Sequence, residues 1–164
     1  MKKVIVLWFS LAALMVQAQD RMTPELLWKL KRIGEIAVSP DHTTIAFTMR
    51  AYDVAASSSE SNIYLVPVSG GAVRQLTTSA GTEFNLIWGK DNTHLYYLAK
   101  GKGGVNIFSI AADGSKTEQL SFLEGGMTGF KFSPDESVVI YSNEVKMEKF
   151  TGAEFYPDMP NANV

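Results

Sequence analysis

The chain has 164 residues, of which 46% are hydrophobic and 20% charged, and its formal net charge is −2. This composition is typical of a globular protein of one domain, or part of one, and excludes disordered and fibrous classes. Without cysteine there is no disulfide, thiolate nucleophile or cysteine-ligated zinc, and without a basic run nucleic acid is not expected as a partner. Only His42 and His94 are available as imidazoles.

The amino terminus has the pattern of a secretory leader. Two lysines precede the apolar run Val4–Val16, which at thirteen residues is shorter than the roughly 20 residues that span a bilayer. Val16–Ala18 then has the small residues of a cleavage site. We therefore expect a signal peptide over residues 1–18, cleavage after Ala18, no stable membrane anchor and a periplasmic or secreted protein. The alternative is a short buried helix.

Residues 19–34 predict an N-terminal linker and one short capping helix. Thr23 suits the N-cap and Pro24 the first helical position, while Gly34 is a plausible stop. The predicted apolar face consists of Leu26, Leu30 and Ile33.

From residue 35 the apolar pattern changes to a period of two, and a strand–turn–strand segment occurs three times. Serine, proline and aspartate at the first and third turns favour tight β-turns, and the second turn has Gly89-Lys90-Asp91 instead. The three segments are residues 35–47, 85–97 and 129–141, with turns that begin at residues 39, 89 and 133.

A second element repeats between these segments. Asn62–Val68 matches Asn106–Ile110 at an offset of 44 residues, and each is followed by a glycine hairpin turn and a short strand. The first unit differs by a polar insertion at Ala55–Ser61, which we interpret as a loop.

Four short strands in a unit of about 40–45 residues are typical of a β-propeller blade. We therefore predict an all-β fold over residues 35–164, a partial β-propeller of about two and a half four-stranded blades with WD40-like or TolB-like repeats, preceded by a signal peptide and one short helix. The alternative is a β-sandwich or meander with chance similarity. Two and a half blades cannot close a ring of typically four to eight, so we expect the chain to be part of a longer protein.

The polar residues that could carry chemistry are each explained more simply by structure. The histidines lie in or beside turns, and three aspartates share one turn position, which favours backbone hydrogen bonding over catalysis. Three glutamates could line a pore or bind a peptide amino terminus, although a solvated face is the favoured interpretation. Gly101–Gly104 is interpreted as a loop between middle strands, because it lacks the context of a phosphate loop. These candidates are His42, His94, Asp41, Asp91, Asp135, Glu144, Glu148 and Glu154. The aromatic residues predicted to pack between blades are Trp88, Tyr96, Tyr97, Phe108, Phe130, Phe132 and Tyr141.

The opening Met22–Leu27, followed by a Ser-Pro-Asp turn and a strand that ends at Thr48, resembles the start of the propeller domain in the prolyl oligopeptidase family of serine peptidases. The most similar branch contains dipeptidyl-peptidase 5 and acylaminoacyl-peptidase-like enzymes. The tail Tyr156–Val164 resembles the segment after the third repeat in secreted bacterial members. The sequence departs from that family at the turns, where glycine is usual and this chain has His42, Asn92 and Glu136.

The resemblance implies that the propeller gates substrate access and supports a C-terminal α/β-hydrolase domain, which carries serine on a Gly-x-Ser-x-Gly elbow, then aspartate and histidine. That elbow is absent from this sequence, and Gly114-Ser115 lacks its second glycine. We therefore assign no catalytic, cofactor-binding or metal-binding residue, leave the substrate-binding residues open, and expect no activity from the chain alone.

The partners implied by the resemblance are peptide substrates of the full-length enzyme, which could also form a homodimer. The alternative function is a fragment of a non-enzymatic TolB-like propeller that binds periplasmic protein partners.

Overall fold

A computed structural model describes residues 22–145. One helix, α1 (Pro24–Lys29), precedes ten strands in two four-stranded antiparallel sheets and a two-stranded hairpin. The first sheet contains β1 (Arg32–Val38), β2 (Thr44–Asp53), β3 (Ser58–Pro67) and β4 (Arg74–Gln75). The second contains β5 (Phe84–Trp88), β6 (His94–Gly101), β7 (Gly104–Ala111) and β8 (Thr117–Gln119). The hairpin pairs β9 (Gly129–Phe132) with β10 (Val139–Ser142).

Strand order follows sequence order in both sheets, so each is an up-and-down meander. Each meander is one blade of a propeller, and the hairpin repeats the first half of a blade. The predicted partial β-propeller is confirmed, with two complete blades and one hairpin among the described residues. We call them blade 1, blade 2 and the third hairpin.

The predicted turns form at all three repeat positions. The amide N–H of the fourth turn residue donates to the carbonyl of the first, at 2.8 Å for His42, 3.2 Å for Asn92 and 2.9 Å for Glu136. These residues have φ of 59°, 59° and 60°, the left-handed conformation that closes a hairpin of this length. The chain therefore places a side chain where glycine would relieve backbone strain.

Two apolar clusters join the blades. The first lies between blades 1 and 2 and includes Ile63, Leu95 and Trp88, while the second joins blade 2 to the third hairpin through Leu98 and Phe130. Ile63, Leu95 and Leu98 are fully buried. The aromatic residues predicted to pack between blades lie in or against these clusters, except Tyr141, which is 48% exposed on β10.

The predicted extent of the helix is wrong at its carboxyl end. Thr23 caps α1 as expected, because its hydroxyl accepts the Leu26 amide at 3.1 Å, but the helix ends at Lys29 and β1 begins at Arg32. Gly34 is therefore a strand residue and not a helix stop. A Cβ there would lie 2.6 Å from the Thr48 hydroxyl oxygen, so a side chain at residue 34 would displace this hydroxyl, which accepts the Glu35 amide at 3.0 Å.

The polar insertion of the first unit is also not simply a loop. Cross-strand pairing continues to Asp53 and Ser58, so most of the insertion lengthens the β2–β3 hairpin and only residues 54–57 form its tip. The small polar residues of the insertion form a strand because β2 and β3 pair without a register shift as far as Asp53 and Ser58.

Candidate functional site

The lengthened β2–β3 hairpin reaches α1, and a groove of about 910 Å³ opens between them. Trp28 meets Tyr52 edge-on with ring centroids 5.5 Å apart. The Arg32 guanidinium carbon lies 4.8 Å from the Tyr52 ring centroid and 5.4 Å from that of Trp28. These cation–π contacts hold helix, hairpin and β1 together at the base of the groove.

The groove combines aromatic faces with charged groups. Glu25, Asp53 and Glu60 bring carboxylates to its lining, against one ammonium from Lys29. Aromatic faces and carboxylates suit peptide segments and cationic amines. The remaining lining residues are Pro24, Trp28, Ala51, Tyr52, Val54, Ser58, Ser59 and Ala80.

Two β-bulges carry side chains that bind the next blade. In β1 the register shifts between Ile33 and Ile36, and the Glu35 carboxylate at this bulge accepts the Leu86 amide of blade 2 at 2.8 Å. In β5 the equivalent bulge residue is Asn85. Its side-chain Nδ2 donates to the Phe130 carbonyl at 3.0 Å, and its Oδ1 accepts the Phe130 backbone N–H at 3.3 Å. The inner strands of consecutive blades are therefore joined by hydrogen bonds at one repeated position.

The turns form a second repeated connection. Asn92 accepts the Asp41 amide of the preceding turn at 2.8 Å, and Glu136 accepts the Lys90 amide at 2.8 Å. A glycine at either position would relieve strain but lose this bond. The departure from the glycine that is usual in the resembling family therefore has a structural explanation at Asn92 and Glu136.

The three turn aspartates bind their own turns. Asp41 accepts the Thr43 amide at 3.0 Å, and Asp135 accepts the Ser133 and Ser137 hydroxyls at 2.5 Å and 2.7 Å. Hydrogen bonds from the Ser133 and Ser137 side chains hold the pKa of Asp135 well below its usual range. The structural interpretation of these aspartates agrees with these contacts.

His94 forms an exposed pair with Asp91, with Nδ1 and Oδ2 2.6 Å apart. Partial burial acts to raise the pKa of Asp91, but hydrogen bonds from Thr93 and His94 outweigh it and leave that pKa well below its usual value. His42 is exposed at the corresponding turn. The two imidazoles thus lie on successive turns and not in one cavity.

The other candidates are dispersed. Glu144 is exposed, whereas Glu148 and Glu154 lie outside the described residues. Gly101–Gly104 connects β6 to β7 as predicted, but Gly101 and Gly104 pair as strand residues and only residues 102–103 form the turn. Gly114 lies in the turn between β7 and β8.

Sequence reasoning missed three polar residues that the fold uses: Glu35, Asn85 and the buried Glu83. For Glu35 and Asn85 the available signal was their position, since both occur four residues before the start of a turn. Within residues 22–145, no group of three or more histidine or acidic side chains could hold a metal ion. Over the same range no helix has the length and hydropathy to cross a membrane.

Consecutive four-stranded meanders joined at their inner strands define the class of the chain, a portion of a β-propeller. No family profile matches the sequence. It is 33% identical over 143 residues to dipeptidyl-peptidase 5 of Porphyromonas gingivalis, covering 87% of this chain and 21% of the relative. It is also 26% identical to dipeptidyl-peptidase 5 of Porphyromonas endodontalis, over 77% of this chain and 18% of that protein. The resemblance to dipeptidyl-peptidase 5 is confirmed, which makes the chain a peptidase-related propeller portion, and the chain spans about a fifth of the length of these relatives.

Solved structures support the same fold. AtxE2 isopeptidase with Astexin3-dC4 bound superposes with a TM-score of 0.62 at 19% identity, covering 75% of this chain and 23% of that one. A putative TolB from Agrobacterium tumefaciens gives a TM-score of 0.51 at 22% identity, over 63% of this chain and 35% of that protein. At these identities the likeness concerns the fold alone.

Proposed function

We propose that the chain is the propeller portion of an exported serine peptidase of the dipeptidyl or acylaminoacyl type, where it gates substrate access and supports a catalytic domain. The observation that carries this proposal is the 33% identity to dipeptidyl-peptidase 5 over 87% of the chain. The substrates would be short peptides, cleaved by acyl transfer at a serine outside this sequence.

The groove between α1 and the β2–β3 hairpin supports the gating part of this proposal. Its aromatic base is held by Arg32, and its carboxylates would attract a peptide with a free amine or basic side chain. In this proposal the groove selects peptides that approach the active site, while the catalytic step depends on other residues.

The first experiment is to read the DNA beyond codon 164 and to assay the product of the whole reading frame on dipeptidyl substrates. Continuation into further repeats and a Gly-x-Ser-x-Gly elbow, with hydrolysis of the substrates, is the expected result. Trp28→Ala should then raise KM for peptides with little change in kcat, because the groove contributes binding and not chemistry. The exposed Val73→Ala is a matched surface control.

The alternative is a non-enzymatic propeller that binds protein partners, favoured by the fold likeness to the putative TolB. A reading frame that ends after more blades, with no hydrolase domain and no hydrolysis, would support it and refute the peptidase proposal.

A further inference from the structure

The linker that leads from β4 to β5 holds a buried carboxylate. Glu83 is 2% exposed, and Ser79 donates its hydroxyl to Glu83 Oε1 at 2.6 Å, while the Thr77 hydroxyl donates to Oε2. The backbone fixes the same site, because the Glu83 amide donates to the Ser61 carbonyl at 3.0 Å. The carboxylate is therefore hydrogen-bonded but removed from solvent.

One polar atom on β3, in the residue that follows Ser61, has no partner. Asn62 is 4% exposed, and its Oδ1 is buried without a hydrogen bond among the described residues. An unpaired buried carbonyl costs free energy, and most buried polar groups in native structures are hydrogen-bonded. We call Asn62, Thr77, Ser79 and Glu83 the linker cluster.

Blade 2 contains the same site without the carboxylate. At an offset of 44 residues, Asn62 corresponds to Asn106, Thr77 to Ser121 and Glu83 to Met127. The Met127 amide donates to the Val105 carbonyl at 2.8 Å, as Glu83 does to Ser61, which confirms the correspondence.

The equivalent hydroxyls of Thr77 in blade 1 and Ser121 in blade 2 donate to different acceptors. Ser121 accepts the Ile107 amide at 2.9 Å and donates to Asn106 Oδ1 at 2.9 Å, and the Leu123 amide also donates to that oxygen at 2.8 Å, so the asparagine oxygen is satisfied. In blade 1 Thr77 likewise accepts the Ile63 amide, at 2.8 Å, but donates to Glu83. The carboxylate thus takes the proton that the asparagine receives in blade 2.

We propose that Glu83 is a proton-controlled switch in the linker, and that a proton on its carboxyl redirects the Thr77 hydroxyl to Asn62. The protonated carboxyl donates to Thr77 Oγ1, which still accepts the Ile63 amide and is free to donate to Asn62 Oδ1. A hydroxyl oxygen accommodates two acceptor bonds and one donor bond, so the Thr77 hydroxyl, the Glu83 carboxyl and Asn62 Oδ1 are then all hydrogen-bonded. The only species exchanged with solvent is one proton.

The surroundings of Glu83 agree with this assignment. Burial raises the pKa of the Glu83 carboxyl and outweighs the hydrogen bonds from Ser79 and Thr77, which lower it. Tyr97 on β6 interacts with Glu83 electrostatically, and burial together with Glu83 raises the tyrosine pKa. The other ionisable groups that line the same small cavity are Arg32 and Glu35 on β1 and Arg50 and Tyr52 on β2.

The sign of the pH dependence follows from the raised pKa. The folded state binds the proton more tightly than the unfolded state, so the stabilisation is fully present below the unfolded pKa and is lost as pH rises through the folded one. The linker should therefore be held more firmly in acid than at neutral pH. Blade 2, with Met127 at the equivalent position, has no such dependence.

The test is amide hydrogen exchange of the full chain between about pH 4 and about pH 8, a range that brackets the ordinary glutamate pKa and a raised one. After correction for intrinsic rates, residues 76–83 should lose about fivefold to tenfold protection as pH rises, the effect of one hydrogen bond. Residues 120–127 are the internal control and should not change.

Glu83→Met copies blade 2 and should remove the pH dependence of residues 76–83. If this variant does not fold, Glu83→Gln provides the same test, because its neutral amide donates to Thr77 as the protonated acid does. Thr77→Ser copies the blade 2 hydroxyl and should retain the wild-type profile. An unchanged pH dependence in the Glu83 variants, or an equal one in residues 120–127, would overturn the proposal.

Discussion

Replacing Asn85 by alanine tests whether the bulge side chain of one blade holds the next blade in place. Asn85 has φ of 55° and makes two hydrogen bonds to Phe130 of the third hairpin. Two such bonds contribute about 2 kcal/mol, and alanine in the left-handed region costs about 1 kcal/mol. We therefore expect the third hairpin to separate from blade 2 at a free energy lower by about 3 kcal/mol.

The assay is amide exchange over β9 and β10, read from ladder amides that do not bond to Asn85. A loss of about 3 kcal/mol makes exchange by local opening about 100-fold faster. Asn85→Gly is the matched control, since glycine accepts the backbone conformation and loses only the bonds, for an increase of about 30-fold. Exchange unchanged in both variants would refute the role of the bulge contact, and equal exchange in the two would refute the strain contribution.

Three further predictions concern the core, the turns and the groove. Leu95→Ala empties a fully buried position between the blades and should cost about 2–5 kcal/mol in urea unfolding, whereas Val54→Ala, at 63% exposure, should change little; equal losses would contradict this packing. Asp135 has a depressed pKa, so its stabilisation is present above the ordinary carboxyl pKa and is lost as pH falls. The difference in melting temperature between wild type and Asp135→Asn should shrink in acid, and a constant difference would be contrary to that account. Arg32→Ala removes the cation from Trp28 and should weaken the docking of α1 by about 1 kcal/mol, seen as faster amide exchange in α1; unchanged exchange would exclude this contact as a support.

The repeats could be recognised from sequence because their signals are local. Turn residues specify the backbone within four positions, and alternating apolar residues specify a strand with one buried face. The three turns and the middle strands therefore form where the sequence predicts them. The N-cap at Thr23 is local in the same sense, since its hydroxyl binds an amide three residues away.

The predictions that were wrong concern elements whose conformation depends on contacts with segments distant in the sequence. The helix ends at Lys29 because the following residues pair with β2, as Arg32 does with Arg50. The insertion became strand because two polar segments stayed in register across a hairpin, which composition does not reveal. Neither outcome can be read from a window of adjacent residues.

The sequence by itself determined the blade unit, its period and the tight turns, because these depend on residues close together in the chain. Only the tertiary structure decided which polar side chains join the blades. Glu35 reaches an amide 51 residues away, and Asn85 reaches Phe130 at a separation of 45. It also showed that the Thr77 hydroxyl donates to Glu83, while Asn62 Oδ1 on β3 has no partner among the described residues. Such choices depend on desolvation and hydrogen-bond geometry between segments, and these exist only once the blades are packed together.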